Sequence, residues 1–296
     1  MRLWCYGVDH GKWGEQLCEV ANRNGLDAAL FLSPPLEMKE GDYAFMRIPQ
    51  DPELAAQGKQ HATEIAGRGV KLIPDLFSIM CYENKLMQTI AHRPYMPRTE
   101  ILLPTDTVRD AQHAAEELGF PFVSKAQEGS SSTNIRLVKD MNQALQEYRD
   151  AMVGDGIPLA RSAIQKGYLI WQKFCAGNPC DYRVCINGNY TLMLERDNAH
   201  GRPFASGSGK NRPINDPDNF QTGAIEKAWD FFNEYRLKWC GIDLVFDYDD
   251  NSWRVLETTL GWSLRAYEDC TYFGTEYKGR DIWQLLVEQI KEGVFK

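Results

Sequence analysis

The stretch GIDLVFDYDDNSWRVLETT, residues 241–259, consists of two apolar runs separated by a short polar segment. This pattern predicts a β-hairpin, because strand-forming runs on either side of turn residues pair with each other. Each run contains one carboxylate among apolar neighbours, Asp243 in the first and Glu257 in the second. Because a short turn joins the strands, we expect these two carboxylates to face each other. The other acidic residues of the stretch are assigned to the solvated turn: Asp247, Asp249 and Asp250.

The facing carboxylates need positive charge nearby, because two carboxylates that share a site otherwise repel each other. Carboxylate oxygens that are completed by water and nucleotide phosphates suit Mg²⁺. The alternative is a salt bridge from each carboxylate to a nearby arginine. For Asp243 and Glu257 taken together, a metal site is the favoured interpretation.

The composition indicates a globular protein without general affinity for nucleic acids. The 296 residues suffice for two or three packed units, and the net charge of −8 argues against binding to nucleic-acid backbones. No apolar run reaches the roughly 18 residues that a membrane span needs. The eight scattered cysteines and the lack of a signal-peptide pattern favour reduced thiols and a cytoplasmic location.

The order of predicted elements divides the chain into three units. Residues 1–77 show a β-α-β-β-α-β pattern, which predicts a small, mostly parallel, Rossmann-like α/β domain. Residues 78–171 are predicted to form a second unit of helices and strands, which begins with a helix near residues 83–92. Residues 172–296 form the third unit, in which antiparallel strands are expected.

Two irregular segments interrupt this order. The proline-rich HRPYMPRTEILLP, residues 92–104, is predicted to be a connector. The polar, glycine-rich residues 197–219 are predicted to form a long loop, which inside a domain is usually functional or disordered. A tight hairpin turn is predicted at Asn187, Gly188 and Asn189.

A lysine and a glycine-serine loop form the second candidate site. Lys125 lies in the apolar strand FVSKA, and four residues later the chain reads GSSST, from Gly129 to Thr133. Backbone N–H groups and hydroxyls of such a loop suit phosphate oxygens, and the lysine adds a cation. The alternative is an ordinary β-turn. The pattern differs from the Walker motif, in which the lysine follows the glycines.

Four segments taken in order resemble the ATP-grasp superfamily, over about residues 75 to 290. They are ENKLMQTIA…MPRT, GFPFVSKAQEGSSSTNIRLV, IWQKFCAGNPCDYRVCINGN and GIDLVFD…RVLETT. Within the superfamily, RimK-like glutamate ligases and glutathione synthetases are the most similar. The resemblance implies that two α+β lobes hold ATP, behind an N-terminal α/β domain that helps to shape the substrate cleft.

The resemblance also implies a role for individual residues. Lys85 and Lys125 would bind phosphates, Asp181 would lie near the ribose, and Asp243 and Glu257 would hold one or two Mg²⁺ ions, or Mn²⁺. The implied phosphate loop and adenine hinge comprise Gly129, Ser130, Ser131, Ser132, Gln172, Lys173 and Phe174. Two positions depart from the pattern: many relatives have Glu at the position of Lys173, and they usually have Asn, a metal ligand, at the position of Thr259. The hydroxyl of Thr259 is a candidate third metal ligand, although it reaches less far than an amide.

An enzyme of this kind would join a carboxylate to an amine through an acylphosphate, releasing ADP and phosphate. The expected partners are a small-molecule, amino-acid or peptide carboxylate and an amine acceptor, with a possible homo-oligomer. Arg196 and Arg202 are the candidates for gripping the carboxylate or the phosphoryl group, with Arg265 as a third, and Ser206 and Gly207 would add donors. The alternatives are a small-molecule kinase and a non-catalytic nucleotide-binding protein.

Overall fold

The computed structural model describes residues 1–8, 12–127, 134–159, 164–198 and 211–295. The predicted phosphate loop, Gly129 to Ser132, therefore lies outside the described residues. So do Arg202, Ser206 and Gly207 of the predicted long loop.

The first part of the chain forms a four-stranded parallel sheet with the order β2-β1-β3-β4. Its elements are β1 (Leu3–Tyr6), α1 (Trp13–Arg23), β2 (Ala28–Phe31), β3 (Tyr43–Phe45), α2 (Pro52–Gly67) and β4 (Lys71–Ile73). This order confirms the predicted β-α-β-β-α-β pattern. Asp51 begins α2, because its carboxylate accepts hydrogen bonds from the backbone N–H groups of Glu53 and Leu54.

The middle of the chain forms an antiparallel sheet with the order β5-β10-β6-β7. Its elements are α3 (Leu76–Cys81), α4 (Lys85–His92), β5 (Thr99–Leu102), α5 (Val108–Leu118), β6 (Phe122–Lys125), β7 (Ile135–Val138), α6 (Met141–Met152), β8 (Ile157–Pro158), β9 (Ile164–Gln165) and β10 (Leu169–Lys173). The prediction of a connector at residues 92–104 was wrong in part, because β5 lies within it. The prolines on either side of β5 suggested a connector. They concealed an edge strand, because edge strands tolerate proline.

The last part forms a five-stranded antiparallel sheet with the order β13-β12-β11-β14-β15. Its elements are β11 (Cys180–Asn187), β12 (Tyr190–Asp197), β13 (Asn211–Ile214), α7 (Asn219–Glu234), β14 (Trp239–Asp247), β15 (Ser252–Thr259), α8 (Leu264–Tyr267) and α9 (Ile282–Glu292). Both predicted hairpins are confirmed. The long loop predicted at residues 197–219 contains β13, whose polar sequence NRPI has no apolar alternation that would have indicated a strand.

The five-stranded sheet is packed on both faces. One face buries Val184, Ile242 and Leu244 against α7. The other face packs at one end against the N-terminal sheet and α9, through a cluster of five aromatic side chains with neighbouring ring centroids 5.1–6.4 Å apart: Trp13, Phe45, Trp239, Trp262 and Trp283. Each such ring pair contributes roughly 0.5–1.5 kcal/mol beyond area burial, so this cluster fixes the N-terminal sheet to the C-terminal sheet.

The cysteines and the helices add two simple observations. All eight cysteines are free thiols, and only Cys18 is not fully buried. Among the helices that the structure describes, none combines the length and the apolar character needed to cross a bilayer.

Candidate active site

A row of charged side chains crosses the five-stranded sheet beyond the end that packs against the aromatic cluster. Arg196 on β12 lies opposite Asp181 on β11. Two residues further along β11, Arg183 lies opposite Asp243 on β14, which in turn lies opposite Glu257 on β15. Residues two apart on a strand share a face, so all five side chains lie on the face that α7 does not cover. The expectation that Asp243 and Glu257 face each other is confirmed.

Two arginines bind Asp243 in the interior. Oδ1 of Asp243 accepts a hydrogen bond from Nε of Arg183 at 2.5 Å, and Oδ2 accepts one from Nη2 of Arg183 at 2.7 Å. Nη2 of Arg196 lies 2.7 Å from the same Oδ2, while Nε of Arg196 donates to Asp181 at 2.5 Å. Asp243 therefore shows the salt bridges that the sequence analysis held as the alternative to a metal.

This network determines the charge state of its carboxylates. Burial opposes the ionisation of Asp243, but the charges and hydrogen bonds of Arg183 and Arg196 outweigh burial and lower its pKa to about 2. Burial raises the pKa of Asp181 to about 6, although Arg196 partly offsets this effect. Asp243 is therefore ionised at neutral pH, which a ligand of a divalent cation requires.

The carboxylates also fit a cation. Two carboxylate oxygens together offer about four lone-pair sites, and three hydrogen bonds occupy three sites on Asp243. One site on Oδ1 therefore remains for a metal. The side chain of Glu257 is 29% exposed, and its contact with Nζ of Lys85 is a long 3.8 Å. No cluster of three or more His, Cys, Asp or Glu side chains exists among the described residues, so water and phosphate oxygens would have to complete the coordination.

Two lysines from the middle of the chain lie beside Glu257. Nζ of Lys125, at the end of β6, donates to the carbonyl of Leu256 at 3.4 Å. Burial, together with the charge of Lys85, lowers the pKa of Lys125 to about 8, although the charge of Glu257 partly offsets this effect. The backbone N–H of Lys85 donates to the carbonyl of Gln127, the last described residue before the predicted phosphate loop. Both lysines thus adjoin Glu257 and that loop.

Gln88 fixes the helix of Lys85 to the strand of Glu257. Its Oε1 accepts from the backbone N–H of Thr258 at 3.0 Å, and its Nε2 donates to the carbonyl of Thr258 at 3.2 Å. Nε2 also donates to the carbonyl of Cys81. Because Gln88 lies one helical turn after Lys85, this contact sets the position of the Lys85 ammonium relative to the carboxylate next to Thr258.

Sequence reasoning did not identify two residues of this site. Gln88 gave no signal, because a glutamine on a short amphipathic helix normally faces solvent. Arg183 did leave a signal. Asp181 and Arg183 are two residues apart on a predicted strand, so their side chains share one face. Because Asp243 was expected on a neighbouring strand, Arg183 was a candidate partner for it.

Solved structures with similar architecture were found over nearly the whole chain. A D-alanine–D-alanine ligase from Bacillus anthracis is 12% identical, with a TM-score of 0.62 and coverage of 99% of this chain and 98% of that one. A RimK domain ATP-grasp protein from Sphaerobacter thermophilus DSM 20745 is 15% identical, with a TM-score of 0.60 and coverage of 97% and 98%. The ATP-grasp ligase PsnB, complexed with a minimal precursor, Mg and ADP, is 12% identical, with a TM-score of 0.58 and coverage of 98% and 97%.

The chain has the ATP-grasp fold. No protein-family model matches the sequence, and no curated protein matches it either. At these identities the structural likeness establishes the fold, so the chemistry has to be argued from the site.

The predicted adenine hinge, residues 172–174, contains an unexpected ion pair. Nζ of Lys173 lies 2.8 and 2.9 Å from the two carboxylate oxygens of Asp247, and 2.9 Å from Asp249. Burial works against the charge of Lys173, but these carboxylates outweigh it and raise the pKa of the lysine. The assignment of Asp247 to the solvated turn was wrong, since it is 1% exposed at the end of β14. Lys173 provides the counter-charge that this buried aspartate needs.

The other predicted residues take varied positions. The side chain of Gln172 is buried and donates to Oγ1 of Thr99, so it fixes β5 to β10. Thr259 lies two residues from Glu257, and its hydroxyl donates to the carbonyl of Gly261 at 2.9 Å. Arg265, on α8, is exposed. Asp181 and Arg196, predicted near the ribose and the substrate, are each 7% exposed and bind each other.

Proposed function

We propose that this chain is an ATP-dependent ligase that joins a carboxylate to an amine through an acylphosphate and releases ADP and phosphate. One observation carries the proposal: Glu257 faces Asp243 across a strand pair, and two lysines from the middle of the chain, Lys85 on α4 and Lys125 on β6, adjoin Glu257. Acidic ligands for a divalent cation next to cations for phosphate oxygens are the parts that phosphoryl transfer requires.

Nucleotide binding is assigned to the space between the two antiparallel sheets. Lys85 and Lys125 would neutralise phosphate oxygens, and the loop from Gly129 to Ser132 would donate backbone N–H groups to them. The hinge at residues 172–174 would contact adenine through its backbone, because the side chains of Gln172 and Lys173 already have partners. Asp243 and Glu257 would hold Mg²⁺ or Mn²⁺, which supplies charge neutralisation at the phosphates. Thr259 would contribute a hydroxyl oxygen to a second ion, because its O–H donates to the carbonyl of Gly261 and the oxygen lone pairs face away from that bond.

The reaction follows from the charges of the site. A substrate carboxylate attacks the γ-phosphorus of ATP, ADP leaves, and an amine then displaces phosphate from the acylphosphate. The negative charge that develops in the first step lies beside Lys85 and Lys125, and the charges of Arg183 and Arg196 lie on the same face of the sheet. Preorganised cations at such a position stabilise the transition state without reorganisation. Closure of the phosphate loop would protect the acylphosphate from water.

Relatives of similar structure support this chemistry by their names. One is a ligase that joins two D-alanines, and another is a ligase solved with a precursor, Mg and ADP. The substrates of this chain are accordingly proposed to be an amino-acid, peptide or other small carboxylate and an amine.

ADP formation across a panel of amino acids, peptides and acidic small molecules tests the proposal. We expect ADP formation over many turnovers only when an acid and an amine are both present, and mass spectrometry should identify an amide product. A stable phosphorylated acid formed without an amine would instead show a kinase. Nucleotide binding without turnover for any pair would show a non-catalytic nucleotide-binding protein. Lys125→Met is the control, because activity that survives this change would exclude the assigned role of the lysine.

A further inference from the structure

Two cysteine thiols meet where α1 packs on β1. Cys5 lies in β1 and is completely buried, whereas Cys18 lies in the middle of α1 and is partly exposed. The side chains of Cys5 and Cys18 are hydrogen-bonded to each other. The pair therefore joins one thiol that solvent can reach to a second thiol that it cannot reach.

The sulfur of Cys18 accepts two hydrogen bonds. One comes from the S–H of Cys5, and the other comes from Nδ2 of Asn22 at 3.5 Å, one helical turn further along α1. Donors that point at a sulfur stabilise its thiolate relative to its thiol. The hydrogen bond from Cys5, and to a smaller extent that from Asn22, outweigh burial and lower the pKa of Cys18 to about 7.

The amide of Asn22 is held in place by the first residue of β2. Its Oδ1 accepts from the backbone N–H of Ala28 at 3.1 Å, and its Nδ2 donates to the carbonyl of the same residue at 2.9 Å. Nδ2 also donates to both the carbonyl and the sulfur of Cys18. A donor that is fixed in this way needs no rearrangement when charge develops on the sulfur.

Cys5 has the opposite character. Its hydrogen bond to Cys18, together with burial, raises the pKa of Cys5, so it stays a neutral thiol while Cys18 carries the charge. Because Cys5 is 0% exposed, an oxidant in solution meets Cys18 first. An accessible thiol of low pKa beside a second thiol is the arrangement in which oxidation leads to a disulfide.

We propose that Cys18 is a site of oxidation by small peroxides and that Cys5 converts the oxidised product to a disulfide. The thiolate of Cys18 attacks one peroxide oxygen, the O–O bond breaks, and Cys18 becomes a sulfenic acid while the leaving hydroxide or alkoxide takes up a proton. The sulfur of Cys5 then loses its proton, attacks the sulfur of Cys18 and displaces hydroxide, which leaves with that proton as water. The two thiols together lose two electrons, and the peroxide gains them.

The disulfide would connect β1 to a helix that contacts the C-terminal part of the chain. Trp13, the first residue of α1, packs in the aromatic cluster, and Oε1 of Gln16 accepts a hydrogen bond from Nε1 of Trp283 on α9 at 3.0 Å. Oxidation would therefore tie the N-terminal sheet covalently to the helix through which it contacts α9. This site does not depend on the proposed ligase function.

Oxidation of the folded, reduced chain by hydrogen peroxide at neutral pH, followed by peptide mass spectrometry, tests the proposal. Parallel samples contain dimedone, which traps sulfenic acids. In the wild type we expect a trapped sulfenic acid at Cys18 at early times, then a Cys5–Cys18 disulfide with the loss of two hydrogen atoms. The other six cysteines are buried and should stay reduced.

Two variants separate the roles of the two thiols. Cys18→Ser should lose both products. Cys5→Ser keeps a hydroxyl that can donate to the sulfur of Cys18 but has no second sulfur, so it should accumulate the sulfenic acid and form no disulfide. Circular dichroism before oxidation shows whether each variant is folded, and if one is not, the order of products in the wild type decides. A Cys18 that stays reduced in the wild type, earlier oxidation of another cysteine, or a sulfenic acid that never becomes a disulfide with Cys5 would overturn the proposal.

Discussion

Replacing Lys125 by methionine should stabilise the protein and weaken its stabilisation by nucleotide. The pKa of about 8, compared with 10.5 for an unperturbed lysine, means that charging this buried group costs about 3 kcal/mol more than in water. Methionine keeps a similar unbranched stem without the charge. Loss of the hydrogen bond to the carbonyl of Leu256 offsets about 1 kcal/mol of this gain. A net increase of about 2 kcal/mol in the free energy of unfolding remains, or about 4–8 °C in Tm.

The dependence of this gain on pH follows from the pKa of Lys125, which is about 8 in the folded protein and 10.5 for an unperturbed lysine. Below pH 8, the lysine is charged in both the folded and the unfolded state, so the full cost applies. Between about pH 8 and 10.5, the unfolded state binds more protons, so the stability of the wild type rises with pH. Urea denaturation should therefore show the largest advantage of Lys125→Met near neutral pH and almost none above about pH 10.5.

Stabilisation by a bound nucleotide tests the role assigned to Lys125 in phosphate binding. MgADP at a hundredfold excess over its Kd stabilises a protein by about 2.7 kcal/mol, and the variant should lose about 1.3–2.3 kcal/mol of this effect because Kd rises about 10- to 100-fold. Lys238→Met is the matched control. Burial lowers the pKa of Lys238 too, but it lies away from Glu257, so its variant should keep the nucleotide response. A Lys125→Met variant that is less stable than the wild type and still stabilised by MgADP would refute the assigned position of this lysine.

Three further predictions concern the site. Asp243→Asn should destabilise the fold by about 3–5 kcal/mol, because it leaves Arg183 without its carboxylate and Arg196 with Asp181 alone. Glu257→Gln should change the free energy of unfolding by less than about 1 kcal/mol and remove the Mg²⁺ dependence of nucleotide binding. Equal losses in urea denaturation would contradict this contrast. Lys173→Glu, which restores the residue of many relatives, should lower the free energy of unfolding by about 3–5 kcal/mol, because it leaves Asp247 buried beside a like charge. An unchanged Tm would exclude the ion pair as a determinant of stability. Gln88→Leu should cost about 2–3 kcal/mol and weaken nucleotide binding in calorimetry. Gln88→Glu should cost more, because it sets a buried carboxylate oxygen against the carbonyls of Cys81 and Thr258. A smaller loss in Gln88→Glu than in Gln88→Leu would contradict the assigned contacts.

The sequence was most informative where a local pattern determines the structure. Alternating apolar runs and turn residues predicted the hairpin of β14 and β15, and therefore the facing positions of Asp243 and Glu257. The β-α-β-β-α-β order predicted the parallel N-terminal sheet in the same way. In both cases the necessary information lies within one strand and its neighbour along the chain.

Contacts between distant segments could not be predicted in this way. Lys173 and Asp247 are 74 positions apart, and Gln88 and Thr258 are 170 apart. No local pattern indicates such pairs, and each of these residues alone resembles an ordinary surface residue. The strand β13 was missed for a related reason, because it is stabilised by pairing with β12 and not by its own polar sequence.

Transfer of ¹⁸O from a labelled carboxylate substrate into the released phosphate tests the central claim most directly. In an acylphosphate, one oxygen of the substrate carboxylate bridges the acyl carbon and phosphorus, and amine attack at the acyl carbon leaves that oxygen on phosphate. The ligase account predicts one ¹⁸O atom in phosphate for each amide formed, and no transfer by the Lys125→Met variant. Amide formation with unlabelled phosphate would contradict the acylphosphate, and with it the role assigned to the charged face around Asp243 and Glu257.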